Sequence, residues 1–218
     1  MKKTNKIILF ITFCLMLISK IDIAYSDTLK PYSYKERYIL AILPFEDKTK
    51  EKKYKDLGIR IADMLISELF DYQRFRIIER GKLSTILGEL KLQQTEYFQK
   101  DFTEKLGTQI GAELMLVGSI LDISSYDKKR SLGIISKNTK YISVRLEARI
   151  ILVKTGEIME IAKWQGKVKS SKKRALIAVK DDKKSTNAMI SEAIKKAVKE
   201  LAKKIAENAP KKETASAE

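Results

Sequence analysis

Histidine is absent from the 218 residues, cysteine and tryptophan occur once each, and there are only three prolines. Without histidine the chain lacks the side chain that titrates near neutrality and the commonest metal ligand. Cys14, the single cysteine, lies in an apolar run near the N-terminus and has no disulfide partner in the chain. If that run is removed, thiol chemistry goes with it. A nucleophile, base and orienter set cannot then be assembled from histidine or cysteine, and nothing marks out a lysine-based one. These absences read as a non-enzymatic protein with no cofactor, no metal and no small-molecule substrate. Its stability has to come from packing.

What is present begins with a signal peptide over residues 1–26. Lys2, Lys3 and Lys6 form a basic start, "IILFITFCLMLI" an apolar centre, and "AYS" before Asp27 a small-x-small cleavage site. The apolar run from Ile7 to Ile18 is short of the about 20 residues that span a bilayer, so export with cleavage at Ser26 is expected rather than an anchor. Phe13 stands before Cys14, where a bacterial lipoprotein signal has a small residue, so lipidation is not expected.

Loss of this segment takes four lysines and one aspartate from a formal charge of +16, leaving +13. Residues 163–218 hold sixteen Lys and Arg against seven Asp and Glu, so most of the excess is C-terminal. A basic face can meet nucleic acid, anionic lipid or an acidic protein, or simply be solvated. For an exported chain nucleic acid is the least available of these. Envelope proteins or an anionic lipid surface are the expected partners.

Residues 27–37, "DTLKPYSYKER", have no apolar period and read as a flexible leader. Residues 38–208 read as one α/β domain, and the polar stretch 209–218 as a disordered tail. Within the domain, "YILAILPF" is a near-continuous apolar run, the pattern of a strand buried on both faces, followed by a solvated loop. Leu57, Ile61, Leu65 and Leu69 then recur every four positions, which lines one face of a helix. "RFRIIER" gives a short strand, and Leu83, Ile86, Leu87 and Leu90 a second helix, so the domain starts βαβα. Asp101 and Glu104 open a short helix like a reciprocal N-terminal cap.

"LGTQIGAELMLVGSI", residues 106–120, raises the question of a phosphate loop, which needs glycines after a strand and before a helix. Here the order is reversed. Gly107 and Gly111 end a helix and precede a strand, so they are expected to turn the chain in a left-handed conformation. Gly118 is expected to mark a bulge or a close backbone approach, and Gly156 lies in the turn "KTGE". Ile142, Val144, Leu146, Ala148, Ile150 and Leu152 alternate with polar residues, predicting a half-exposed strand that returns through Gly156 as an antiparallel hairpin. In the last helix Ala193, Ile194, Ala197, Val198, Leu201 and Ile205 form an apolar face. Lys195, Lys196, Lys199 and Lys203 lie opposite it, and are expected to project as one positive surface that contacts an anionic partner.

The order of these motifs resembles the curli production assembly and transport component family, CsgG-like, with its relatives among the penicillin-binding-protein activators. The resemblance is carried by "AILPFEDKT" (41–49), "LGIRIADMLISELFDYQRFRIIERGKLSTILGELKLQQ" (57–94), "LGTQIGAELMLVGSIL" (106–121) and "VRLEARIILVKTGEIM" (144–159), and covers residues 38 to about 206. It implies a compact α/β fold with a mixed β-sheet and packed helices. It also implies a non-enzymatic assembly or adaptor role in the periplasm or at the outer membrane, and a homo-oligomer. In the family's secretion channel two excursions become transmembrane hairpins. The corresponding stretches here, Ser124–Lys140 and Lys167–Ser185, read as soluble loops, because neither carries the apolar alternation of a spanning strand.

Three further groups are site-like in composition. Glu79 and Arg80 stand at a strand end, where a salt bridge or helix cap is the commoner role. Asp181 and Asp182, amid lysines, make a poor cation cage. Trp164 on the hairpin is expected to pack in the core or at the sheet edge.

Overall fold

A computed structural model describes residues 29–49, 56–89, 100–132, 135–175, 178–181 and 185–213. The chain divides into a unit Met1–Lys30, nearly all of it outside the described residues, and a unit Pro31–Glu218 to which everything below refers. The expected signal peptide lies outside the described residues.

The continuous apolar run forms β1 (Tyr38–Ile42), where adjacent Leu40 and Ala41 are both fully buried, so both faces of the strand are covered. A two-residue strand, β2 (Glu46–Asp47), follows. Helix α1 (Leu57–Tyr72) buries Leu57, Ile61, Leu65 and Leu69, the four residues of its predicted stripe. It ends at Gln73, held at φ 51° with its N–H on the Phe70 carbonyl, so a glutamine supplies the left-handed terminator. Then come β3 (Phe75–Ile77), α2 (Arg80–Glu89), α3 (Lys100–Ile110), β4 (Leu114–Leu132), β5 (Ile135–Leu152), β6 (Ile158–Ala175), β7 (Ala178–Asp181) and α4 (Thr186–Glu207).

The strands make one sheet in the order β3-β1-β4-β5-β6-β7, with β2 pairing β4 off that path. Strand β1 runs parallel to β3 and β4, and β2 parallel to β4, whereas β4 through β7 are antiparallel to their neighbours. The fold is therefore α/β, a mixed sheet with packed helices, a βαβα start, a later antiparallel hairpin and a C-terminal amphipathic helix.

Two apolar layers hold it. Ile142, Val144, Leu146, Ala148 and Ile150 of β5 are all buried, and α4 packs on β5, β6 and α1 through Ile190, Ile194, Ala197, Val198, Leu201 and Ile205. Ser185 caps α4 by accepting the Ala188 N–H at 3.1 Å. A separate cluster joins Ala41 and Leu43, Leu83, Leu106 and Ile110, Met115 and Val117, and Ile151 and Val153. These residues come from the sheet and from α2 and α3.

Several expectations are corrected. Ser124–Lys140 and the start of Lys167–Ser185 are not loops. Strands β4 and β5 stay in register out to Leu132 and Ile135, and β6 stays paired with β5 as far as Arg174. Both faces of these outer strands are polar, so no apolar alternation announces them; the neighbouring backbone supplies the pairing, and the Tyr126 and Tyr141 rings stack at 4.8 Å. The solvated loop after β1 likewise contains β2, and Asp101 lies inside α3 rather than before it.

Among the described residues, the leader and tail are tied together instead of loose. The Tyr32 hydroxyl donates to the Ala209 carbonyl at 2.8 Å, the Lys212 N–H to the Glu36 carbonyl at 3.0 Å, and Lys211 pairs with Glu36 at 2.9 Å. Lys212 also pairs with Glu113. Hydrogen bonds from Lys211 and Ser33 hold the Glu36 carboxyl below its ordinary pKa.

Of the three glycines expected to turn the chain, Gly111 and Gly156 have φ of 73° and do reverse it. Gly107 does not, and Gly118, grouped with them as structural and expected at a bulge or close approach, is a close approach. Gly107 is inside α3, where a Cβ would stand 2.4 Å from the Val153 side chain, and Gly118 is inside β4, where it would stand 2.5 Å from the Phe45 ring. Both are places of close packing.

Candidate functional site

Helix α4 carries Lys195, Lys196, Lys199 and Lys203 exposed on its outer side. With its apolar stripe fixed against the sheet and α1, the heptad-like spacing of these lysines leaves them no other direction. They do not form one unbroken positive surface, however. Lys196 pairs with Glu192 at 3.4 Å and Lys203 with Glu207 at 3.8 Å, each one turn away along the helix. Lys195, Lys196 and Lys199 also border a groove of about 400 Å³ between α1 and α4, whose opposite wall is Met64, Ser67 and Glu68. The acidic character of this junction is felt by Tyr72: burial, then the charges of Glu68, Glu200, Glu207 and Asp71, push its hydroxyl pKa up. The groove thus sets three lysines of α4 against one carboxylate of α1, Glu68, with Met64 and Val198 as its apolar part.

A second polar constellation, absent from the sequence reading, occupies the side of β4, β5 and β6 turned away from α4. Glu147 is 7% exposed, yet its carboxylate meets Arg149 Nη2 at 2.8 Å and Lys163 Nζ at 2.7 Å. Arg149 Nε donates a further bond to Glu147 Oε1 at 2.9 Å. Beside it Gln165 donates to the Ser143 hydroxyl at 2.6 Å, and Asp122 faces Arg145 at 3.7 Å. The period-two pattern placed Glu147 on the charged face, but its burial depends on the register that sets Lys163 directly opposite. No local sequence signal carries that register.

Burial alone would raise the Glu147 pKa; the hydrogen bonds from Lys163 and Arg149 outweigh it and hold the carboxyl below the usual range. With the folded value depressed, the stability Glu147 contributes is complete above the unfolded carboxylate value and is lost as the pH falls through the lowered folded one. Glu147→Gln should lower stability at neutral pH by about 1–2 kcal/mol, since both cations are partly solvated, and should flatten the acid limb. Denaturant melts of both proteins between about pH 3 and 7 check this. Parallel curves over that range would mean the ion cluster contributes nothing.

Glu79, weighed as a site with Arg80, precedes α2, and its Oε1 accepts the Gly81 N–H at 3.3 Å, an acceptor for a free helix N-terminal donor. The Arg80 and Asp181 side chains and all of Asp182 lie outside the described residues. Trp164 stands opposite Leu146 on the α4 side of β6, with much of its ring exposed at the sheet edge. No group of three or more His, Cys, Asp or Glu side chains that could hold a metal occurs among the described residues.

These surfaces are carried on a mixed sheet flanked by helices, an α/β domain with charged and apolar groups exposed on its faces. The chain belongs to the CsgG family, described as curli production assembly/transport component, whose model matches residues 23–218. No curated protein matches it. Among solved structures it is similar to a neuraminyllactose-binding hemagglutinin homolog from Helicobacter pylori, at 14% identity over 84% of this chain and 89% of that one, with a TM-score of 0.48. It is also similar to the LpoB C-terminal domain from Salmonella enterica, at 18% identity over 66% and 90% of the two chains and a TM-score of 0.41. A PelC dodecamer from Paraburkholderia phytofirmans gives 9% identity over 84% and 94%, and 0.40. At such distances these likenesses establish no function for this chain.

Proposed function

We propose that the chain is an exported, non-enzymatic assembly or adaptor component of the bacterial cell envelope, working in the periplasm or at the outer membrane in curli-type assembly or secretion. The observation that carries this reading is the family match over nearly the whole chain. The signal-peptide pattern of residues 1–26 and the lack of histidine support it. Cell fractionation tests it. The processed chain should appear in the periplasmic or outer-membrane fraction, and recovery of the unprocessed precursor from cytosol alone would sink the proposal.

A second reading, an oligomeric outer-membrane pore, is favoured by one observation: the stretches in the positions of the family's excursions are strands. The outer part of β4, Ser124–Leu132, is nine residues long, near the about 9 to 11 of a spanning strand. Its composition argues the other way. Asp127, Lys128, Lys129 and Arg130 put charge on both faces, and each Lys or Arg facing lipid at the midplane costs about 2–4 kcal/mol. Among the described residues no helix is long and apolar enough to cross a membrane, which says nothing of strands. Detergent-stable rings that conduct ions in a planar bilayer would establish the pore over the adaptor. A regulator of a peptidoglycan synthase is a third variant, which a pull-down from envelope extracts separates from the first.

The α4 lysines are proposed as a contact for an anionic partner, lipid head groups or an acidic protein face. Replacing Lys195, Lys196, Lys199 and Lys203 by Gln should cost little stability, within about 0.5 kcal/mol per site. Binding to anionic vesicles at low salt should fall. Equal binding by parent and variant would make this face a solvated surface only.

A further inference from the structure

Four of the seven large apolar side chains exposed among the described residues fall within one short stretch of one strand: Ile158, Met159, Ile161 and Trp164, each 42 to 50% exposed. That strand, β6, pairs with β5 along one side. On its other side the only described partner is β7, at Lys172–Ala175. The outer edge from Ile158 to Lys169 therefore has no strand beside it among the described residues, and an open edge is a row of backbone donors and acceptors without sheet partners. Twelve residues of edge span roughly 40 Å, several times what a short guest strand needs.

The pairing register sorts the β6 side chains. Ala162, Trp164, Gly166 and Val168 lie opposite Ala148, Leu146, Val144 and Ile142, on the α4 side. Ile161, Lys163, Gln165, Lys167 and Lys169 point to the other face, as the Lys163–Glu147 ion pair requires. Exposed apolar groups thus flank the edge on both faces, which suits a strand laid along it better than a membrane touching one side. The lysines decide which strand. A second copy of β6 in antiparallel register centred on Gln165 would set Lys163 against Lys167, like charges directly opposed, and such pairs are unfavourable. Among the described residues Lys167 and Lys169 have no carboxylate partner.

We propose that the outer edge of β6 takes up an extended segment of another polypeptide as an added strand. Acidic side chains of the guest face Lys163, Lys167 and Lys169, and an apolar one lies along the exposed Trp164. Backbone hydrogen bonds supply the attachment, and the alternation of charge and apolarity selects the guest and rejects self-pairing. The inference concerns the edge alone and stands whether or not the chain works in the envelope.

Trp164 is the only tryptophan in the chain, so its fluorescence reports the edge directly. Titrating the full chain with a nine-residue peptide of alternating glutamate and valine should give a saturable blue shift. The Lys167→Glu/Lys169→Glu variant should bind that peptide about tenfold or more weakly and gain affinity for a lysine–valine peptide, because like-charge juxtaposition is costly. The same glutamate–valine peptide, N-methylated on alternate backbone amides in either phase, keeps its charge and apolarity and should lose binding in at least one phase. No shift, undiminished binding by both methylated peptides, or a shift with anionic vesicles alone would overturn the proposal. Sedimentation as a dimer that does not bind the peptide would do the same. An unchanged melting profile in the double variant ensures that a loss is read as lost recognition, and Trp164→Phe, followed by calorimetry, keeps the test independent of the fluorophore.

Discussion

Alanine in place of Gly166 is expected to destabilise the domain by about 1–3 kcal/mol, the usual cost of inserting a methyl group into a closed site. A Cβ built there would lie 1.8 Å from the Ala193 carbonyl oxygen and 3.0 Å from the Ala197 N, both backbone atoms of α4. No side-chain rotation relieves such a contact. The helix itself has to rise from the sheet, which loosens the layer between α4 and β5. The gain of about 0.4–1 kcal/mol from a less flexible unfolded chain offsets only part of this. For a domain of this size the melting temperature should fall by about 2–4 °C per kcal/mol. Gly88→Ala is the internal control: that glycine sits exposed in α2 with nothing within 4 Å of a built Cβ, so it should gain about 0.5–1 kcal/mol. If both changes moved stability the same way, the close approach of α4 to β6 would be wrong.

The largest loss is expected from Leu201→Ala, about 2–5 kcal/mol. Leu201 is fully buried in the α4 stripe, with Ala197, Val198, Ala202 and Ile205 around it nearly as inaccessible. Removing its isobutyl end loses the transfer energy of those carbons and leaves a hole that close-packed neighbours cannot fill. Leu201→Met keeps most of the volume and should cost less than about 1.5 kcal/mol. Urea melts of the three proteins give the comparison. A Leu201→Ala protein as stable as its parent would mean that α4 is not anchored by this stripe.

The apolar periods in the sequence locate α1, α4 and the inner half of β5, because each writes its buried face into the chain at a spacing of 3.6 or 2 residues, and the continuous apolar run locates the inner half of β4, which is buried on both faces. The sequence likewise shows the C-terminal excess of lysine, the absence of histidine and the motifs that resemble the family. Gly111 and Gly156 are legible as turns, since an apolar segment stops before each and another begins after it.

Only the tertiary structure decided where polar strands run and which groups meet. The outer parts of β4, β5 and β6 are polar on both faces, so their state is set by the backbone of the neighbouring strand and leaves no periodic trace. Gly107, Gly118 and Gly166 are small because a side chain or helix backbone from elsewhere in the chain occupies the space, a constraint that local spacing cannot express. The same holds for Glu147, which strand register sets opposite Lys163 in addition to Arg149 of its own strand. Among the described residues the open edge of β6 from Ile158 to Lys169 belongs to this group too. An open edge is a property of what does not lie beside it, and the sequence of the strand alone contains no record of its neighbours.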